Sequence, residues 1–151
     1  MIITICASIK FWPQIIAVKE KLEAIGHQVL IPPHQVKNEV GDFISVEEYY
    51  QVRKSMIERG DNDNWVWQRK NEAIIWHFDK VNQADCILVL NYDKNNIPGY
   101  IGGNTLMEMG IACWLKKPIY LLNPIPRKIS YYEEIKGMQP IIINDNLNLI
   151  K

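Results

Sequence analysis

Ala84-Asp85-Cys86-Ile87-Leu88-Val89-Leu90-Asn91 and, after a glycine-containing loop, Gly102-Gly103-Asn104-Thr105-Leu106-Met107-Glu108-Met109-Gly110-Ile111-Ala112 together decide the fold of this chain. The first run is apolar without a break and shows no period-2 alternation, so Cys86 to Asn91 reads as a strand buried on both faces. The second carries helical spacing, and a helix is expected over Thr105 to Leu115. A doubly buried strand handing on to a helix is the unit of a parallel sheet covered on both sides.

The same alternation extends outward. Met1 to Cys6 reads as a first strand, and Pro13 stands where a first helical turn tolerates proline. Ile15, Ile16, Val18, Leu22 and Ile25 then form a helical stripe that ends at Gly26. Val29-Leu30-Ile31 is a short second strand, stopped by Pro32-Pro33. Val46 to Glu58 and Val66 to Val81 have helical periodicity, with a polar loop at Gly60 to Asn64 between them. Pro118 to Leu122 and Pro140 to Ile143 supply two more strands, with a short helix over Tyr131 to Ile135. Five strands with helical crossovers predict an α/β domain, three-layered and doubly wound (Rossmann-like or flavodoxin-like), with one parallel five-stranded sheet over residues 1–151.

Composition narrows the function classes. Seventeen basic residues balance seventeen acidic ones among 151, so the strong basic excess of a nucleic-acid polymer binder is missing. No apolar run approaches the ~20 residues of a membrane helix, and a cytoplasmic protein is expected. Cys6, Cys86 and Cys113 are odd in number and far apart, which suits neither a disulfide framework nor a Cys-x-x-Cys metal site. They read as small buried hydrophobes.

In doubly wound sheets, sites form outside the carboxyl ends of the strands near a reversal of strand order. Ala7 to Trp12, Asn91 to Asn104 and Asn123-Pro124 occupy such positions. Gly102 and Gly103 let backbone approach a ligand, and the helix behind them points unpaired N–H groups at it, which suits an anionic or sugar-like molecule. A tight loop with Thr105 as N-cap is the plainer reading of those glycines. Glu108 lies about one turn into an otherwise apolar helix, where a carboxylate is costly unless used or paired, and where the helix dipole favours its ionised form.

Three segments carry a family resemblance: Ile3-Thr4-Ile5-Cys6-Ala7-Ser8-Ile9-Lys10, Ala84 to Leu90, and Gly103 to Ala112. Their order and spacing resemble the nucleoside 2-deoxyribosyltransferase family and its relative, the 2'-deoxynucleoside 5'-monophosphate N-glycosidase. The resemblance implies that Glu108 attacks the anomeric carbon to give a covalent deoxyribosyl-enzyme, passed on to another base or to water. It implies that Ser8 and Lys10 grip the 5' end, in place of the glycosidase's Gly-Ser-Ile-Arg loop, and that Asn91, Gly103 and Asn104 hold the sugar. His77 stands where the family usually has an aspartate, so histidine is expected to serve as acid or orienting group, with Asp79 a possible substitute. Thr4 and Gly102 replace other family residues that contact sugar or position the carboxylate.

No metal and no organic cofactor is implied. The expected partner is a small nucleoside or nucleotide. Two rivals stand beside this reading: a non-catalytic nucleotide-binding or signalling module, and a phosphoribohydrolase, whose Pro-Gly-Gly-x-Gly-Thr-x-x-Glu signature Gly102 to Glu108 resembles less closely. Trp12 is expected to face the pocket, and five tryptophans in a small neutral domain predict a homo-oligomer, a dimer or larger.

Overall fold

The computed structural model describes residues 1–61 and 64–151, without the side chain of Asn64. Strands β1 (Ile2–Ala7), β2 (Gln28–Leu30), β3 (Gln35–Lys37), β4 (Phe43–Ser45), β5 (Cys86–Leu90), β6 (Ile119–Leu121) and β7 (Ile141–Ile142) are joined by helices α1 (Trp12–Ala24), α2 (Val46–Arg59), α3 (Asn64–Gln83), α4 (Gly103–Trp114) and α5 (Tyr132–Gly137). Five strands form one parallel sheet in the order β2-β1-β5-β6-β7, with Thr4 opposite Ile87 and Cys6 opposite Val89 at its centre. This is the expected three-layer α/β architecture. The strand order reverses between β1 and β5, so their carboxyl ends open a crevice.

The alternation of side chains across β1 and β5 divides the core in two. Ile3, Ile5, Leu88 and Leu90 pack against Ile15, Val18 and Leu22 of α1. Cys6, Ile87 and Val89 face the other way, toward Val81 of α3 and Met109 and Ala112 of α4. Each such buried aliphatic side chain contributes roughly 1.5–3 kcal/mol. Thr4, on the second face and fully buried, donates its hydroxyl to the Lys80 carbonyl at 2.9 Å, which fastens the last turn of α3 to the sheet.

The structure adds a feature that the sequence reading passes over. β3 and β4 form a separate antiparallel hairpin, Gln35 opposite Ser45 and Lys37 opposite Phe43, between β2 and α2. Its strands are three residues each and none of the six is fully buried, so they leave no long apolar run to read. Ser45 both ends the hairpin and caps α2 by accepting from the Glu48 N–H. Gly60 closes α2 in the left-handed conformation (φ 72°), and residues 62 and 63 of the expected polar loop lie outside the described residues. Cys6 and Cys86 are buried as expected, whereas Cys113 is exposed on α4, because the side of that helix facing the sheet is formed by Thr105, Glu108, Met109 and Ala112. No helix among the described residues is long and apolar enough to cross a membrane.

Candidate functional site

A cavity of about 520 Å³ occupies the crevice beyond β1, roofed by the hairpin and α2 and floored by α3 and α4. Its size suits a nucleotide-sized ligand. Ser8, Gly103, Asn104, His77 and Glu108 all line it. Gly102, with ordinary extended backbone, caps α4, and its carbonyl accepts from Leu106 N–H to close the first turn. Thr105 is therefore inside the helix and buried, and does not cap it.

Glu108 projects from the second turn of α4 onto the floor and is only 9% exposed. Burial pushes its carboxyl up from 4.5 to about 8, against smaller downward pulls from the Cys6 thiol and the Lys70 ammonium. His77 Nε2 stands 3.7 Å from Glu108 Oε1, beyond hydrogen-bond range. Burial, assisted by the nearby Lys80 charge, drives His77 down to about 4. Both groups are therefore neutral near pH 7, although their spacing is that of an ion pair. His77 Nδ1 and Nε2 and Glu108 Oε2 have no hydrogen-bond partner.

Cations converge on the same cavity. Lys70 of α3 reaches Asn104 Oδ1 at 2.8 Å, and burial lowers it to about 8. Lys94, in the loop after β5, donates to Ser8 Oγ at 2.8 Å and lies over the Tyr100 ring, 4.9 Å from its centroid. Arg53 of α2 lies 5.4 and 5.3 Å from the ring centroids of Tyr49 and Tyr50. Together these groups can receive an anion at one end of a ligand and present flat apolar surface to another part of it.

No protein-family model matches the chain, and no curated protein matches it. Among solved structures it is similar to a 2-deoxyribosyltransferase from the psychrotolerant bacterium Bacillus psychrosaccharolyticus, with 14% sequence identity and a TM-score of 0.51 over 80% of this chain and 71% of that one. The fold is shared with a deoxyribosyltransferase. At that identity the likeness is one of fold alone.

Within this deoxyribosyltransferase-like fold, several expected site residues lie elsewhere. Lys10, in the turn Ile9–Phe11, is exposed and outside the cavity lining, but it sits over the ring of the lining residue Tyr50 at 5.7 Å and its charge reaches Lys94. Lys94 takes the place beside Ser8. Asn91 is fully buried and bonded within the protein: its amide donates to the Asn123 and Pro124 carbonyls at 3.0 and 3.1 Å, and its side-chain oxygen accepts from Asn123 N–H at 2.8 Å. Asn91 is a pin between the loops after β5 and β6, with both side-chain polar atoms engaged there, and it lies off the cavity lining. Asp79 is exposed and off the cavity. Trp12 stacks on His34, ring centroids 4.9 Å apart, and also lies off the lining.

Lys70, Arg53 and Lys94 were not legible as site residues one at a time. Two signals existed. Lys70 and His77 are seven residues apart and so share a helix face, and Lys94 lies in the Asn91–Asn104 stretch that follows the central strand.

Proposed function

We propose that the chain is an N-glycosidase or deoxyribosyl transferase acting on a (deoxy)nucleoside or its 5'-monophosphate. Glu108 carries this reading: an acidic side chain with an unpartnered oxygen, held by a rigid helix at the bottom of a nucleotide-sized cavity. In its ionised form Glu108 attacks the anomeric carbon, the bond to the base breaks, and a glycosyl-glutamate forms that a second base or water then takes over. Burial removes competing water and strengthens the attraction between the carboxylate and the developing oxocarbenium charge.

The other groups take supporting roles. Lys70 stabilises the ionised Glu108 that its ammonium already favours. His77, neutral at physiological pH, packs beside the carboxyl at 3.7 Å, close enough to hydrogen-bond it after a small shift, and is not a proton donor in the resting state. Ser8 and Lys94 hold the 5' end, and Gly103 and Asn104 border the sugar. In this reading residues 1–151 work as one domain, in the cytoplasm, as a homo-oligomer.

A nucleotide-binding module without turnover is the second reading, favoured by the neutrality of Glu108 near pH 7. Incubation with a panel of nucleosides and monophosphates in the presence of a chelator, with free base separated chromatographically, decides between them. Base release is expected from wild type and is expected to fall by several orders of magnitude in Glu108→Gln. Tight binding of a nucleotide without any base release would establish the module instead.

A further inference from the structure

At and just beneath the cavity floor lies a donor set that base transfer does not require: His77 and Glu108 line the cavity, and Cys6 sits behind them in the core. Cys6 at the end of β1, His77 on α3 and Glu108 on α4 offer one sulfur, one nitrogen and one oxygen, all within 4.8 Å of one another. Cys6 is fully buried and His77 is 4% exposed. One oxygen of Glu108 and both nitrogens of His77 make no hydrogen bond of good geometry, the Ile5 backbone being the polar group near the imidazole. Buried polar atoms in folded proteins are nearly always paired, so several orphans at one point indicate a position that a further species completes.

The chemistry of the triangle indicates which species. Thiolate, imidazole and carboxylate are the donors of four-coordinate zinc sites, and three protein donors with one open position form the reactive type of such sites. Ligand atoms around a tetrahedral zinc with bonds of about 2.0–2.3 Å are separated by about 3.3–3.6 Å. The observed His77–Glu108 edge is 3.7 Å, and no edge of the triangle exceeds 4.8 Å, so side-chain adjustments of at most about 1.5 Å bring the set to tetrahedral spacing. The three residues stand on separate rigid elements, which pre-organises the set.

We infer that Cys6, His77 and Glu108 form a binding site for a divalent transition-metal cation, best matched by zinc, whose fourth position opens to the cavity. On binding, the Cys6 thiol and the Glu108 carboxyl release their protons to solvent, and neutral His77 coordinates without one. The site stands independently of the glycosidase reading. It does bear on it, since a carboxylate committed to a cation is withdrawn from attack on a sugar, and the cation and a covalent glycosyl group exclude each other at Glu108.

Titration of the chelator-treated full chain with cobalt(II) chloride, without nucleotide, tests the site. Expected are a thiolate-to-cobalt charge-transfer band and the intense visible bands of four-coordinate cobalt, saturating at one cation per chain and abolished by added zinc. Cys6→Ser and Cys6→Ala are expected to lose the charge-transfer band, and His77→Gln to bind cobalt roughly tenfold or more weakly. Cys86→Ser and Cys113→Ser are expected to bind as wild type does, with folding checked by circular dichroism. A wild-type spectrum without the charge-transfer band overturns the proposal, as does a band that disappears in Cys113→Ser. If the Cys6 variants fail to fold, an undiminished cobalt affinity in folded His77→Gln overturns it by itself.

Discussion

His77 Nε2 and Glu108 Oε1 lie 3.7 Å apart with neither group charged at neutral pH, because burial penalises the ionised form of each. The pair is therefore a neutral acid beside a neutral base, poised to change state when the carboxyl loses its proton.

That proton sets a pH dependence. With Glu108 near 8 and attack requiring the carboxylate, kcat/KM for nucleoside base release, measured with chelator present, is expected to rise about tenfold per pH unit from pH 6 and to level off above about 8. His77, near 4, contributes no inflection over that range. A flat profile between pH 6 and 9 would show that Glu108 is not the ionising nucleophile.

The same shift acts on stability. A folded-state value raised above the ordinary 4.5 means that the contribution of Glu108 is fully present below about pH 4.5 and is lost as pH climbs through about 8. Glu108→Gln removes this dependence. Its melting temperature relative to wild type is expected to be higher at pH 9 than at pH 5, by about 2–4 °C for each kcal/mol involved. A difference independent of pH would contradict the burial effect.

Lys94, and not Lys10, is placed to bind a 5'-phosphate. Loss of a charge-assisted hydrogen bond of about 1.5–3 kcal/mol in Lys94→Ala is expected to weaken monophosphate binding roughly 10- to 100-fold, while nucleoside binding stays within a few-fold. Lys10→Ala should have a smaller effect than Lys94→Ala, since Lys10 is exposed at the rim over Tyr50 and acts only through its charge on Lys94. Calorimetry on both ligands checks this, and equal losses for nucleoside and monophosphate in Lys94→Ala would remove the phosphate role.

Asn91 is expected to matter for stability. Replacing it with alanine strands the Asn123 N–H and two carbonyls at the sheet's end, at about 2–4 kcal/mol for the cluster. Gly99 packs against the same cluster at φ 63°, where a Cβ would lie 2.8 Å from the Pro124 carbonyl oxygen, so only glycine fits beside Asn91. Chemical denaturation of Asn91→Ala reads the loss directly, and unchanged stability would mean that these loops are held by other contacts.

Association should use α4. Met107 and Trp114 are seven residues apart on one helix face and are 41% and 82% exposed, with solvent-facing Gly110 between them allowing close approach. Met107 also lines the cavity, so a second copy on this face would sit at its mouth. Light scattering is expected to give a multiple of the 17.6 kDa chain mass for wild type and a smaller assembly for Trp114→Glu. A wild-type monomer would end the oligomer reading.

The sequence by itself determined the architecture, because its signals are local. The run Cys86–Leu90 has to be buried on both faces wherever it lies, and Pro13, Gly26 and Gly60 punctuate helices through their own backbone preferences. It also singled out Glu108, since one carboxylate in an apolar helix is anomalous without any knowledge of neighbours. The hairpin Gln35–Ser45 escaped it because three-residue strands with no fully buried position carry no apolar periodicity. What only the tertiary structure decided was partnership. Cys6, His77 and Glu108 lie on three elements that no chain spacing connects, and they meet because β1 and β5 pair at the sheet's centre with α3 and α4 packed on one face. The choice of Lys94 over Lys10 beside Ser8, and the consumption of Asn91 by Asn123 and Pro124, turned on where loops far apart in sequence come together, which depends on the closing of long-range contacts and not on the preferences of any one residue.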